Sequence, residues 1–256
     1  MATQDSSFNI RLAQPKDIQA CREVDVAAWG EESAATESML FDRIKNEPHG
    51  NFVLEDHNTG KILGSVWTVS LAELPSKSWW ESTGEGTYNG VCSQNSEIGF
   101  GVNLAVHPDY THQKVGEALA YHGLEAAWKN GKKIFVLGAR IPEYHKWHEV
   151  FGVEDYLHVH LDDQKKLLFF NQCTQQFHQG PHIEELQGTT RRIDPAKNWP
   201  VCKSKPYPTG LLDGELNFFM RLRTRDTPCK VFKAIPDYFP DPESCNFGAL
   251  IGWELK

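Results

Sequence analysis

The segment 104–119 constrains this chain most, because a strand pattern changes there into a helix pattern across one short turn. Before the turn, apolar residues recur with period two, which predicts a strand with one apolar face. These residues are Ile98, Phe100, Val102, Leu104 and Val106. From Gly116 an apolar stripe of period 3.6 predicts a helix, and Pro108 ends the strand because it cannot donate to a ladder. The free amides at the start of this helix form a site suited to a pyrophosphate group.

The same segment resembles the pyrophosphate-binding loop of the Gcn5-related acetyltransferase (GNAT) superfamily, in which a strand and Val-x-Pro precede Arg/Gln-x-x-Gly-x-Gly/Ala and a helix. Two registers are possible. The letters Gln-x-x-Gly-x-Ala begin at Gln113, whereas anchoring on Pro108 keeps the usual distance from strand to helix. We favour the second register, which puts Thr111 where Arg or Gln is usual and Lys114 where the first Gly is usual.

This resemblance implies that the loop binds acetyl-CoA or malonyl-CoA, or the phosphopantetheine of a carrier protein. The thioester carbonyl is expected near the amides of Leu104, Ala105 and Val106. The pyrophosphate is expected on the following run of amides: His112, Gln113, Lys114, Val115, Gly116 and Glu117. The ligand is expected in a cleft between the fourth and fifth strands, where Gly99, Gly101 and Gly138 allow close approach of the backbone.

The remaining patterns predict the same order of elements. Strands are expected at 8–13, 51–56, 61–70 and 133–138, helices at 15–29 and 37–45, and a loop at 75–95. This β-α-α-β-β-β-α-β order predicts a mixed α/β (α+β) GNAT fold, with a central sheet splayed between strands 4 and 5. Strands at 231–235 and 246–254 are expected to close the sheet. We therefore expect a single GNAT-like domain over 1–256, in which the polar stretch 160–212 is an insertion: either a lid or a disordered surface excursion.

Composition excludes several classes of protein. The net charge of −8 argues against general nucleic-acid binding. The absence of any run of 18 apolar residues argues against a membrane span. The first residues lack the basic start and apolar core of a signal peptide, and the six cysteines form no CxxC pair or zinc-like spacing. We expect reduced thiols, no metal and a cytoplasmic protein.

Two phrases, 138–145 and 235–248, resemble a long-form GNAT subgroup. Some members are fused to amidohydrolases, and others are GNAT-like loading domains of polyketide synthases of the curacin type. In those loading domains a Thr in the pyrophosphate loop and a His after the fifth strand are the reactive pair, and a Trp lines the pocket. The resemblance places these roles on Thr111, His145 and Trp29. It implies decarboxylation of a malonyl thioester and acyl transfer to an acyl carrier protein in polyketide chain initiation. We find no match in this sequence for the subgroup's additional active-site Arg.

The chemistry of these side chains suits that reaction. Loss of CO₂ leaves an enolate, which needs a donor at its oxygen and a proton for its carbon. A Thr hydroxyl can orient the carboxylate without stabilising it strongly, and a His can donate a proton near neutral pH. Thr111 could instead contribute only its amide, and His145 could make only a structural hydrogen bond.

Two other functions are open. A CoA-dependent N-acetyltransferase acting on a small amine needs a base, for which Glu97 is a candidate, and an acid, for which Tyr144 or Tyr121 is a candidate. A non-catalytic module that binds acyl-CoA or a carrier protein needs neither. We expect an enzyme, a GNAT-family acyltransferase and malonyl-thioester decarboxylase.

Overall fold

The computed structural model describes residues 8–224 and 227–255, with all their side chains except those of His112, Gln113, Arg223 and Thr224. The chain forms two compact units. Unit 1 contains the described parts of segments 1–138, 222–228 and 252–256, and unit 2 contains 139–221 and 229–251. No helix among the described residues is long and apolar enough to cross a membrane.

Unit 1 begins with the elements that the sequence predicts. Its strands are β1 (Phe8–Leu12), β2 (Phe52–Asp56), β3 (Ile62–Leu71), β4 (Ile98–Val106) and β5 (Ile134–Ala139, whose last residue belongs to unit 2). Its helices are α1 (Ile18–Trp29), α2 (Glu37–Asn46), α3 (Trp79–Ser82) and α4 (Val115–Lys129). These boundaries differ from the expected ones by only a few residues, except in the region 75–95.

Region 75–95 is more structured than expected. It contains the short helix α3 and a tight turn over Gly84–Tyr88. The turn is held by Arg43 of α2, which is only 1% exposed and donates from Nε to the carbonyl of Gly86 (2.7 Å). The Arg43 guanidinium also lies over the rings of Trp67, Trp79 and Tyr88. A charged residue on one helix therefore orders a glycine-rich segment that has no periodicity of its own.

Strand β3 is the central strand of unit 1. All ten of its residues are buried, so both faces of the sheet are covered there. The β2–β3 hairpin turns where Asp56 Oδ1 accepts from the amides of Asn58 (2.9 Å) and Thr59 (2.8 Å). One core cluster joins β2, β3 and the start of α4: Phe52, Leu54, Leu63, Val66, Val115 and Leu119.

Strand β4 does not keep one apolar face along its length, so this expectation was wrong. Its register against β3 shifts between Trp67 and Thr68, which leaves Val102 as an extra residue in a β-bulge. Before the bulge, a Cβ at Gly99 would point at Ala127 of α4. After it, Leu104 packs on the cluster that contains residues of α4. An odd and an even position thus share a face, because a bulge reverses the alternation of side chains.

Unit 2 carries a sheet of its own. Its strands are β6 (Val159–Leu161), β7 (Lys166–Asn171), β8 (Gln176–His182) and β9 (Gly210–Leu211), in the order β8-β7-β6-β9. Its helices are α5 (Val153–Tyr156), α6 (Ile183–Leu186), α7 (Pro195–Asn198) and α8 (Gly214–Arg221). Three consecutive residues of β7 are buried, so both faces of this sheet are covered: Leu167, Leu168 and Phe169.

Most of this second sheet lies in the stretch 160–212, and such regular strands do not fit the disordered alternative. The lid, and the single domain over 1–256, stay predictions.

The last strands are β10 (Arg223–Thr224), β11 (Thr227–Pro228), β12 (Lys230–Ile235) and β13 (Gly248–Glu254). The larger sheet has seven strands in the order β1-β2-β3-β4-β5-β13-β12. Neighbours from β1 to β4 are antiparallel, and β4 and β5 are parallel. The mixed sheet and the α/β fold class are confirmed.

Candidate functional site

The pairing of β4 with β5 ends before β4 does. It runs from Ile98–Ile134 to Gly101–Leu137, whereas β4 continues to Val106. The expected splay between strands 4 and 5 is therefore present. Gly99 and Gly101 lie inside the paired part, where a Cβ would lie 2.9 Å and 3.3 Å from the ring of Phe135. These two glycines admit the Phe135 ring, which is a different reason from the ligand cleft that the sequence suggested.

Two amides of β4 point to the side on which this pairing has ended. The amide of His107 donates to the carbonyl of Leu63 (2.8 Å), and hydrogen-bonded pairs alternate along an antiparallel ladder. Ala105 therefore bonds β3, while the N–H groups of Leu104 and Val106 point away from it. The N–H groups of Leu104 and Val106 are thus directed so that they could donate to a thioester carbonyl, whereas that of Ala105 is used by β3. The contact of these three residues with a thioester stays a prediction.

The Val102 carbonyl at the bulge has a different partner. Trp79 Nε1 donates to it at 3.0 Å. The bulge and the open amides beyond it are thus fixed by the otherwise irregular segment before β4.

The loop after β4 has the backbone that the favoured register requires. Residues Pro108–Gln113 form a 3-10 turn, and Lys114 then takes a left-handed conformation with φ of 57°. Glycine adopts the left-handed conformation readily, and the motif usually has a glycine at this point. Lys114 has the backbone conformation that this glycine would adopt. Gly116, the first glycine of the other register, lies inside the regular helix α4.

The start of α4 offers amides for an anion. The first intrahelical bond is Ala118 N to Lys114 O (3.0 Å), so the N–H groups of Val115, Gly116 and Glu117 precede the helical ladder. Of the six predicted pyrophosphate contacts, these three and Lys114 lie at the helix start. The predicted contacts of His112 and Gln113 concern their amides in the 3-10 turn, and their side chains lie outside the described residues.

The Thr111 hydroxyl is already used within the loop. Thr111 is exposed, and its Oγ1 donates to the carbonyl of Pro108 at 3.0 Å. A hydroxyl has one proton, so it must leave Pro108 to donate to a substrate carboxylate. The role of Thr111 in catalysis stays a prediction.

His145 lies in a 3-10 turn of unit 2, Tyr144–Lys146, and is exposed. Its Nδ1 is 2.7 Å from the carbonyl of Pro142 and 3.2 Å from that of Glu243. Both carbonyls only accept, so Nδ1 carries the proton. Nε2 is consequently the nitrogen that can exchange a proton with a substrate.

Trp29, the predicted pocket residue, is the last residue of α1 and is 40% exposed. Exposure of this size leaves much of an indole accessible to a ligand. It also leaves the contribution of Trp29 as a prediction.

Two of the three residues suggested for N-acetyl transfer, Glu97 and Tyr144, are less suited to that work. Glu97 precedes β4 and pairs with Lys133. Leu104 lies seven positions further along the chain, which is roughly 23 Å along a strand. Tyr144 is buried, its hydroxyl donates to the carbonyl of Phe151 (3.3 Å), and burial raises its pKa. Tyr121 lies on α4 and is partly exposed.

A buried polar cluster near β4 was not predicted from the sequence. Asp25 of α1 is fully buried, and its Oδ1 accepts from Asn103 Nδ2 (3.0 Å). Burial raises the pKa of Asp25 to about 6, against the opposing charge of Arg43. Among the described residues, Asp25 Oδ2 and Arg43 Nη1 have no hydrogen-bond partner. The sequence feature that could have indicated this cluster is the carboxylate of Asp25 on the apolar face of α1, which also carries Ile18 and Cys21.

Within the described residues, no group of three or more His, Cys, Asp or Glu side chains is placed to hold a metal ion. The six cysteines all lie among the described residues, and none of them forms a disulfide.

Comparison with known proteins adds the family. One relative is described as a "Probable hydrolase YhcX" from Bacillus subtilis (strain 168), 25% identical over 153 residues, which are 58% of this chain and 29% of that protein. The chain thus spans less than a third of that relative's length.

Two solved structures are similar over 97% of this chain. The loading GNATL domain of CurA from Lyngbya majuscula superposes with a TM-score of 0.66 at 16% identity and is covered over 98% of its length. The GphF GNAT-like decarboxylase, in complex with isobutyryl-CoA, superposes with a TM-score of 0.65 at 20% identity and is covered completely. At these identities the superpositions establish a shared fold. The model of the acetyltransferase (GNAT) family matches residues 17–152, more than half of the chain, and the protein therefore belongs to the GNAT family.

Proposed function

We propose that this GNAT-fold protein decarboxylates a malonyl-type thioester of CoA or of an acyl carrier protein, and supports S-acyl transfer to the carrier protein in polyketide chain initiation. The observation that carries the proposal is the hydrogen bonding of His145, whose Nδ1–H is held by backbone carbonyls so that Nε2 is left for the substrate. Support also comes from the two full-length similarities, to a loading domain and to a decarboxylase that binds an acyl-CoA.

The chain's own residues would divide the work as follows. The N–H groups of Leu104 and Val106 donate hydrogen bonds to the thioester oxygen, and the amides at the start of α4 bind the pyrophosphate. Thr111 orients the carboxylate, and the electron pair of the breaking carbon–carbon bond passes into the enolate as CO₂ leaves. The enolate carbon takes a proton from Nε2 of His145 when that imidazole is doubly protonated. The enolate and the proton give the acyl thioester.

CO₂ release from malonyl-CoA and malonyl-carrier protein tests the proposal. We expect His145→Ala to lower the rate of decarboxylation by roughly 10²–10⁴-fold, the usual contribution of a positioned acid or base. CoA affinity should stay nearly the same, because the proposed phosphate contacts are elsewhere in the chain. His148→Ala is the control, since His148 is also exposed and its Nδ1 likewise bonds a backbone carbonyl, that of His145 (2.8 Å).

Other outcomes would contradict the proposal. No CO₂ from either donor, together with amine-dependent release of free CoA, would make the protein an N-acetyltransferase. Thermal stabilisation by CoA without turnover would make it a binding module. Full decarboxylation by a folded His145→Ala protein would leave His145 with a structural role only.

A further inference from the structure

The two phrases that resemble the loading domains meet in unit 2, although about a hundred residues separate them in the chain. Arg140 donates from Nε and Nη2 to the two carboxylate oxygens of Asp241, at 2.8 and 3.0 Å. Its Nη2 also donates to Glu243 Oε2 at 3.1 Å. Such two-point contacts between a guanidinium and a carboxylate set orientation as well as distance. Arg140 directly precedes the residues that lead to His145.

Ser244 extends this contact to the backbone. It is fully buried, its Oγ accepts from the amide of Ile141 (3.0 Å), and the same hydroxyl donates to Asp241. Burial opposes ionisation of Asp241, but the hydrogen bonds from Arg140 and Ser244 outweigh it and lower the pKa of Asp241. Asp241 is therefore a carboxylate at neutral pH and holds both the side chain of residue 140 and, through Ser244, the backbone of residue 141.

A second buried carboxylate holds the next part of the turn. Asp213 Oδ2 accepts from the amide of Glu143 (3.2 Å) and from the hydroxyl of Tyr156 (3.1 Å). Its Oδ1 accepts from the amides of Glu215 (3.0 Å) and Leu216 (3.1 Å) at the start of α8. Because Asp213 also caps α8, the turn before His145 is attached to a regular helix.

The imidazole itself completes the arrangement. One of the two carbonyls at Nδ1 of His145 belongs to Glu243, which lies between Asp241 and Ser244. The segment that fixes the backbone of the turn therefore also supplies an acceptor that selects the tautomer. A residue that hydrogen-bonds the distal nitrogen of a histidine determines which nitrogen faces the substrate.

We propose that Asp213, Asp241 and Ser244 are positioning residues for His145, which keep its turn in place and its imidazole protonated on Nδ1. The expected effect on catalysis rests on the proposed function. The tautomer of His145 is a property of the protein alone and can be measured without substrate. This arrangement also gives the C-terminal phrase and the residues before α8 a defined role in the reaction.

The test combines NMR with kinetics. Protein labelled with ¹⁵N-histidine reports which nitrogen of each ring carries the proton, and the His145→Ala spectrum assigns the signal of His145. The variants are Ser244→Ala, which removes the bond to Ile141, and Arg140→Lys, which keeps the charge but loses the two-point contact. Ser65→Ala is the matched control, because Ser65 is also fully buried and accepts from Trp67 Nε1 (2.9 Å) within unit 1.

We expect wild type and Ser65→Ala to hold His145 with Nδ1 protonated. In Ser244→Ala and Arg140→Lys, we expect part of the population to shift to the Nε2-protonated form, and kcat to fall roughly 10- to 100-fold with KM within twofold. An unchanged tautomer in both variants overturns the proposal, as does an unchanged kcat. If Ser244→Ala fails to fold, Arg140→Lys decides, since its side chain is partly exposed. A wild type that releases no CO₂ contradicts the proposed function, and the tautomer comparison then decides this inference by itself.

Discussion

Thr111 shows how a single hydroxyl can distinguish two kinds of acyl chemistry. In the structure it donates to the carbonyl of Pro108. We expect Thr111→Val, which is nearly isosteric, to lower decarboxylation while leaving acetyl-CoA affinity unchanged, because only a malonyl substrate has the carboxylate that the hydroxyl orients. CO₂ release and calorimetric titration with acetyl-CoA measure the two effects.

Thr111→Ser is the control for that substitution, since it retains a hydroxyl. It should keep most of the decarboxylation rate. Equal rates for Thr111→Val and wild type would show that Thr111 contributes its backbone only.

Asp25 gives the protein a pH dependence of unusual sign for a carboxylate. Its pKa, raised mainly by burial to about 6, lies above its ordinary value of 3.8, and the nearby charges of Arg43 and Arg22 only partly oppose this. Between these two pH values the folded state holds a proton that the unfolded state has lost, so the stability contributed by this group falls as pH rises. The loss is up to about 3 kcal/mol between pH 4 and pH 6.

Urea unfolding of wild type and Asp25→Asn from pH 4 to pH 7 measures this term. We expect the unfolding free energy of wild type to drop relative to that of Asp25→Asn as pH rises through this window. Asp163→Asn, at an exposed carboxylate, is the control. Parallel profiles for wild type and Asp25→Asn would refute the prediction.

At the scale of elements, the start of α4 combines a cation and an anion around the predicted phosphate site. Lys114 is left-handed at the cap, and Glu117 lies in the first turn. We expect Lys114→Ala to weaken CoA binding roughly two- to tenfold, since it removes a positive charge near the phosphates. Alanine also has a Cβ, so the left-handed backbone at position 114 is strained to the same extent as with lysine.

Glu117→Gln should strengthen CoA binding by about twofold, because it removes a negative charge near the phosphates.

Calorimetric titration with CoA at low and high salt measures both substitutions. The differences should shrink at high salt, as they do for exposed charges. Equal affinities at low salt would place the pyrophosphate on another part of the chain.

The elements of unit 1 could be predicted from the sequence where a hydrophobic pattern extends over many residues. The prediction was poorer where contacts between residues distant in sequence determine the local structure. The strand–turn–helix at β4 and α4 follows from local patterns and from Pro108. The bulge at Val102 does not, because one extra residue on β4 changes the register without changing the alternating letters. Helix α3 and the turn after it depend on Arg43, which is about forty residues earlier in sequence.

The candidate site follows the same division. The special backbone position of Lys114 could be predicted from its distance to Pro108. The role of His145 was predicted from the phrase around it and stays a prediction. The residues that hold His145 could not be predicted, since Asp213 and Asp241 lie far along the chain and meet the turn only after folding. The local sequence around a buried aspartate with polar neighbours does not differ from that around an exposed aspartate.

At the scale of the molecule, each compact unit is built from separate pieces of chain. Trp253 belongs to unit 1, is 1% exposed, and donates from Nε1 to the carbonyl of Leu222 (2.9 Å). Its ring lies 6.3 Å from that of Phe135 on β5. We expect Trp253→Ala to lower the unfolding free energy by about 3–5 kcal/mol, because it leaves a large cavity.

Trp253→Phe keeps most of the buried area but loses the N–H donor, so its loss should be about 1–3 kcal/mol. Urea unfolding measures the loss of unfolding free energy in each variant, and hydrogen exchange shows which strands are destabilised. We expect the amides of β3, β4 and β5 to lose protection in Trp253→Ala. Unchanged protection in these strands would show that Trp253 does not support unit 1.

This interleaving has a consequence for the newly made chain on the ribosome. Unit 1 includes Gly252 and the residues after it, whereas its first segment ends at Gly138. Roughly 110 residues are made in between, which takes on the order of ten seconds at the usual rate of synthesis. During that interval β3 and α4 can form, but Trp253 has not yet been added beside Phe135. The nascent chain therefore carries an incomplete unit 1 for that interval, without the indole that packs beside Phe135 in the finished fold.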